Sequence, residues 1–153
     1  MLRYNKTDGT DKDFSSLIVK LDVDLDARYG TKQDFYSQFN SVAAIKNVIV
    51  AYDEDRPVGC GCFKEIEPGT VEIKRMFVDE DYRGKGVAAT ILSRLEEWAN
   101  ECGYKKSVLQ TGDKQPEAVK FYLKSGYLHT ENYGQYIGDE ASVCMMKVIG
   151  GES

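Results

Sequence analysis

Arg83, Gly84, Lys85 and Gly86 stand between an alternating apolar segment, Val71 to Val78, and a segment of helical apolar spacing at Val87, Ile91, Leu95, Trp98 and Cys102. A basic, glycine-spaced loop that opens a helix is suited to an anion. The first amides of a helix have no intrahelical partner, and the aligned peptide dipoles place partial positive charge on them. Gly84 and Gly86 let backbone approach a ligand without a Cβ in the way, while the Arg83 guanidinium can grip phosphate oxygens bidentately and Lys85 adds a second full charge. Pyrophosphate binding is the chemistry expected. Gly84 to Ala89 also fits the dinucleotide fingerprint G-x-G-x-x-A, but that motif follows its strand directly and wants an acid at the end of the next one. Here Asp79 to Arg83 intervene, and the strand expected to end at Leu109-Gln110 supplies no acid.

Two further groups have the chemistry of proton transfer. Tyr122 lies on a helix with clear punctuation: Pro116 suits its first position, Glu117 complements the N-terminal dipole, and Gly126 suits a left-handed residue past its end. Ala118 and Tyr122 share a helix face, so the ring points towards the sheet while its hydroxyl seeks a polar partner. Glu72 lies on the strand leading to the loop, where strict alternation puts it on one face with Lys74, Met76 and Val78, and partial burial there raises a carboxyl's pKa. A plain ion pair with Lys74 or Arg75 is the alternative.

The run Arg83-Gly84-Lys85-Gly86-Val87-Ala88 fits the pattern Arg/Gln-x-x-Gly-x-Gly/Ala, and it resembles the acetyl-coenzyme A pyrophosphate loop of the Gcn5-related N-acetyltransferases. The helix Gln115-Pro116-Glu117-Ala118-Val119-Lys120-Phe121-Tyr122-Leu123-Lys124-Ser125-Gly126-Tyr127 is similar to a second motif of that family, with Gln115 where the family usually carries Asn. The resemblance spans about Lys46 to Lys147. It implies a central mixed α+β fold, a mostly antiparallel sheet of about seven strands flanked by about four helices. It also implies direct transfer of acetyl from the thioester to a primary amine, with no covalent enzyme intermediate. By the same resemblance Tyr122 is the proton donor to the coenzyme A sulfur and Glu72 the general base, while main-chain amides at Phe77 and Val78 polarise the thioester carbonyl. Arg83, Gly84, Lys85, Gly86, Val87, Ala88 and Gln115 then hold the cofactor. Arg28, Tyr29, Tyr133 and Tyr136 fall in range of the acceptor, with Asp22, Asp24 and Asp26 as an alternative site for a polyamine. A coenzyme A-binding sensor with weak or no turnover is the competing function.

These elements fit one domain over residues 1–153, with 42% hydrophobic and 29% charged residues. Leu2 to Thr7 reads as a strand and Asp11 to Ala27 as a helix on Phe14, Leu17, Ile18, Leu21 and Leu25, with Asp22, Asp24 and Asp26 opposing its dipole and inviting a break near Val23. Thr31 can cap a short second helix carrying Phe35, Tyr36 and Phe39. A three-strand meander follows from Asn47, then helix, strand, helix and two strands. Cys60, Cys62, Cys102 and Cys144 read as buried thiols, the Cys60/Cys62 pair expected on opposite faces of its strand. With His129 the only histidine, no metal site is expected. The net charge of −5 argues against nucleic-acid binding. No apolar run has the length of a membrane span and no signal peptide opens the chain, so a cytoplasmic protein is expected, acting on a small-molecule or peptide amine, with a homodimer as an admissible assembly.

Overall fold

The computed structural model describes residues 2–29 and 43–150. Seven strands form a single sheet: β1 (Leu2–Thr7), β2 (Asn47–Asp53), β3 (Arg56–Glu67), β4 (Thr70–Val78), β5 (Lys106–Gly112), β6 (Leu128–Thr130) and β7 (Ser142–Val148), in the order β1-β2-β3-β4-β5-β7-β6. Every neighbouring pair is antiparallel except β4 and β5. Three α-helices accompany it among the described residues: α1 (Lys12–Tyr29), α2 (Val87–Glu101) and α3 (Pro116–Lys124). The short helix expected after Thr31 lies outside the described residues.

Each helix covers the face its apolar spacing dictates. On one face Val87, Ile91, Leu92, Leu95 and Ala99 of α2 pack with Ile49, Phe63, Val71, Ile73 and Leu109 of the sheet. On the other, Phe14, Leu17, Ile18 and Leu21 of α1 pack with Val48, Val50, Cys60, Cys62 and Phe77. Cys60 and Cys62 therefore share a face, contrary to expectation, because residues two apart on a strand point the same way. Gly61 between them faces α2, where a Cβ would stand 2.4 Å from Met76 Sδ. Cys102, beyond the end of α2, is exposed rather than buried.

Helix α1 starts where Asp11 Oδ1 accepts from the amides of Asp13 and Phe14, at 2.8 and 3.0 Å, and it does not break at Val23. Asp22 turns inward and its Oδ1 meets Arg75 Nη1 of β4 at 3.3 Å, so this carboxylate joins helix to sheet instead of repelling the helix dipole or awaiting a polyamine. Among the described residues no helix is long and apolar enough to cross a membrane.

Candidate active site

Strands β4 and β5 pair only from Thr70–Lys106 to Glu72–Val108. Beyond that rung β4 continues to Val78 beside β3, and β5 continues to Gly112 beside β7, so the sheet splits between them. The chain leaves the end of β4 through Asp79–Gly86 into α2, and the end of β5 through Asp113–Gln115 into α3. Both helix N-termini are thereby delivered to the open end of the split.

The loop before α2 has the form its sequence requires. Gly84 and Gly86 take φ of +78 and +83, the left-handed region that favours glycine, and a Cβ on either would meet no atom of the described residues within 4 Å. Gly86 is the N-cap of α2 and no side chain caps it, so the first amides of the helix are left to a ligand. Arg83 is partly tied back: its Nε donates to Val78 O at 2.8 Å and its guanidinium lies 5.7 Å from the Phe77 ring centroid. That leaves its terminal nitrogens as the charged edge. Lys85 Nζ stands 5.5 Å from the Tyr82 ring centroid. Val87 is buried in the core, and Ala88 follows on the first turn.

Tyr122 sits on the sheet side of α3, 8% exposed, its ring 5.0 Å from Phe121 and 5.8 Å from Tyr127 by centroids. Among the described residues its hydroxyl has no hydrogen-bond partner, and burial alone pushes its pKa well up. The hydroxyl oxygen is not sealed from solvent, so water or a ligand can reach it. Gln115 Oε1 accepts from Gly112 N at 3.1 Å, so its carbonyl end closes the β5–α3 turn.

Glu72 lies on the opposite face of the sheet from Tyr122, on the last paired rung before the split, and is 4% exposed. Its Oε2 accepts from Tyr133 Oη at 2.7 Å and its Oε1 lies 3.6 Å from Lys74 Nζ. The expected face partners need correction. A bulge sets Arg75 and Met76 against Gly61 between the Cys62–Lys74 and Cys60–Phe77 pairs, with Arg75 at φ +57. The extra residue reverses the alternation, so Glu72 and Lys74 share their face with Arg75 and Phe77, while Met76 and Val78 turn to the α2 side.

The segment between β6 and β7 brings the tyrosines. Asn132 Nδ2 donates to Tyr136 O and Asp139 O at 3.0 and 2.9 Å, and Tyr133 and Tyr136 meet edge to face at 5.5 Å. Burial first, and the Glu72 carboxylate second, raise the Tyr133 pKa; burial raises Tyr136 to about 12. Both phenols therefore stay protonated donors at neutral pH. The family resemblance puts Tyr133 in range of the acceptor, but no local pattern announces its bond to Glu72, 61 residues away in the chain. Side chains of Arg28 and Tyr29 lie outside the described residues. Among the described residues no group of three or more His, Cys, Asp or Glu is placed to hold a metal ion.

A split sheet with an uncapped, glycine-opened helix at its mouth is suited to an extended ligand that carries an anionic group. The sequence model of the acetyltransferase (GNAT) family matches residues 16–127, and the chain belongs to that family. It is an N-acetyltransferase. It is 33% identical over 102 residues to an IAA acetyltransferase of Azospirillum brasilense, covering 66% of this chain and 67% of that one. It is 34% identical over 101 residues to the uncharacterized N-acetyltransferase YsnE of Bacillus subtilis, covering 65% and 67%. Among solved structures, a GNAT-family acetyltransferase of Staphylococcus aureus superposes with a TM-score of 0.80 at 13% identity over 97% of this chain and 99% of that one. The PaiA N-acetyltransferase of Thermoplasma acidophilum, solved with coenzyme A, superposes with 0.75 at 16% identity over 97% and 99%.

Proposed function

We propose that residues 1–153 form one catalytic domain that acetylates a primary amine of a small molecule, amino acid or peptide from acetyl-coenzyme A. The observation that carries this reading is Glu72, a buried carboxylate held by Tyr133 at the rung where the sheet begins to split. The open glycine cradle and the unpartnered Tyr122 hydroxyl fit a thioester cofactor, with the pyrophosphate on amides and side chains of Arg83 to Ala88. Bound acetyl-coenzyme A supplies the acetyl thioester, so the net change is a C–N bond made and a C–S bond broken.

Glu72 takes the proton that the amine must lose, directly or through water, and Tyr133 fixes the carboxylate's orientation while it does so. Tyr122, protonated across the neutral range, gives a proton to the departing sulfur. The amides at Phe77 and Val78 lie on the stretch of β4 that no longer pairs with β5. That of Val78 faces the split and polarises the reacting carbonyl, while that of Phe77 is on the β3 edge like Asp79 N, which donates to Val58 O at 2.8 Å. Gln115 steadies the turn beside the cofactor's arm. The split is what lets groups from opposite faces of one sheet act on one point.

Release of free thiol from acetyl-coenzyme A across a panel of amines tests this directly. Amine-dependent release is expected; tight coenzyme A binding with no release on any amine would instead favour a sensor of the same fold. Coenzyme A at about 100 times its Kd should raise stability by about 2.7 kcal/mol, and NAD should add nothing.

A further inference from the structure

A cavity of about 350 Å³ opens against Glu72 on the α1 side of the sheet. That is the size of a small-molecule site, too small for a groove that receives a folded partner. Its floor includes Thr70, Glu72 and Val108, the rungs at which β4 and β5 are still paired, so it runs away from the split and from the loop that opens α2. An amine reacting at the split would lay the rest of its molecule here.

Two ammonium groups line that space. Lys64 stands directly across from Glu72 on β3, and Lys106 directly across from Thr70 on β5. Directly opposed residues share a face, adjacent strands lie about 4.8 Å apart, and same-face residues on one strand about 6.7 Å apart. Lys64 is thus the direct cross-strand neighbour of Glu72, and Lys106 a diagonal neighbour about 8 Å away on the other side. Glu72 already has Tyr133 on one oxygen and Lys74 near the other, whereas neither Lys64 nor Lys106 makes an ion pair among the described residues. Lys106 is half-buried and Lys64 is exposed, so Lys106 is the firmer of the two. The cavity's other carboxylates, Glu67 and Glu131, are exposed and solvated, where they hold a second cation weakly.

We infer that the acceptor is an amine carrying its own acidic group, an amino acid rather than a polyamine or a neutral amine, with its nitrogen at Glu72 and its anion between Lys64 and Lys106. This rests on the reading of Glu72 as the group that receives the amine. The acid stays unchanged through the reaction; its part is to place the nitrogen.

The test measures kcat/KM for β-alanine and γ-aminobutyrate against their carboxamides and putrescine, in the wild type, Lys64→Ala, Lys106→Ala and Lys106→Arg. The acids are expected to exceed their carboxamides by at least about tenfold, the worth of one charge-assisted hydrogen bond. Each alanine variant should cut that ratio about tenfold, Lys106→Arg should keep it, and added salt should shrink it. Equal rates for acids and carboxamides, a preference for putrescine, or an acid preference that survives both alanine variants would overturn the inference while leaving the acetyltransferase reading intact. Acetylation of no amine in the panel would overturn the reading beneath it, and the inference with it.

Discussion

At the scale of single residues, Gly86 joins two requirements that one substitution separates. Its φ of +83 makes any side chain strained, by about 1–2 kcal/mol, yet a Cβ would meet no atom of the described residues within 4 Å. Gly86→Val is therefore expected to remain folded, with a modest drop in urea midpoint, while coenzyme A affinity by calorimetry falls at least about tenfold. Wild-type affinity in the folded variant would remove the loop from the cofactor site. Tyr122→Phe separates core packing from chemistry in the same way, because the hydroxyl has no hydrogen-bond partner to lose among the described residues. Stability should change by less than about 1 kcal/mol, and single-turnover acetyl transfer should slow by roughly 10²–10⁴-fold. Glu72→Gln keeps an oxygen for Tyr133 but removes the base. With one amine acceptor, kcat/KM should fall by roughly 10²–10⁴-fold while coenzyme A affinity holds. An unchanged rate would make Glu72 a structural residue.

At the scale of elements, the bulge in β4 decides which side chains meet. Arg75 takes a left-handed φ there, and its side chain, 10% exposed, reaches Asp22 of α1, 6% exposed. Arg75→Ala breaks a buried ion pair between α1 and β4, so a loss of roughly 1–3 kcal/mol in urea denaturation is expected. A loss under about 1 kcal/mol would show that the pair contributes nothing to the docking of α1. The bulge also marks where sequence stopped being informative. Periodicity placed β1 and the cores of α1 and α2, and Pro116 with Gly126 bounded α3, because caps and apolar faces are local signals. Alternation along β4 failed at Arg75, since one extra residue reverses every later side chain and arginine carries no signature of a left-handed φ. The inward turn of Asp22 was hidden for a similar reason: its partner lies 53 residues away. Lys64, by contrast, could have been placed opposite Glu72 from the symmetry of the hairpin about Pro68. Tyr133 could not, because an irregular segment has no period to extrapolate.

At the scale of the whole molecule, the same burial that builds the site makes the domain sensitive to alkali. Cys60 and Cys62 are fully buried, and desolvation raises both thiols, Cys62 to about 12. Desolvation likewise raises the phenols of Tyr122 and Tyr127, the second despite a 2.7 Å bond between its hydroxyl and Ser107 Oγ. In each case the folded pKa exceeds the unfolded one, so the folded chain holds protons that the unfolded chain releases. The stabilisation is complete below the unfolded values, 9.0 for the thiols and 10.0 for the phenols, and is lost as pH rises towards the folded ones. Each such group steepens the fall by about 1.4 kcal/mol per pH unit. Urea stability is therefore expected to hold from neutrality to about pH 8.5, then to drop with growing slope. Cys62→Ala should start from a lower stability, through the lost sulfur, but should fall less steeply between about pH 9 and 11, by roughly one group's share. An unchanged slope in that variant would mean that the Cys62 thiol ionises as readily in the folded chain as in the unfolded one, which its packing under α1 beside the Lys74 carbonyl, 3.2 Å from Sγ, forbids.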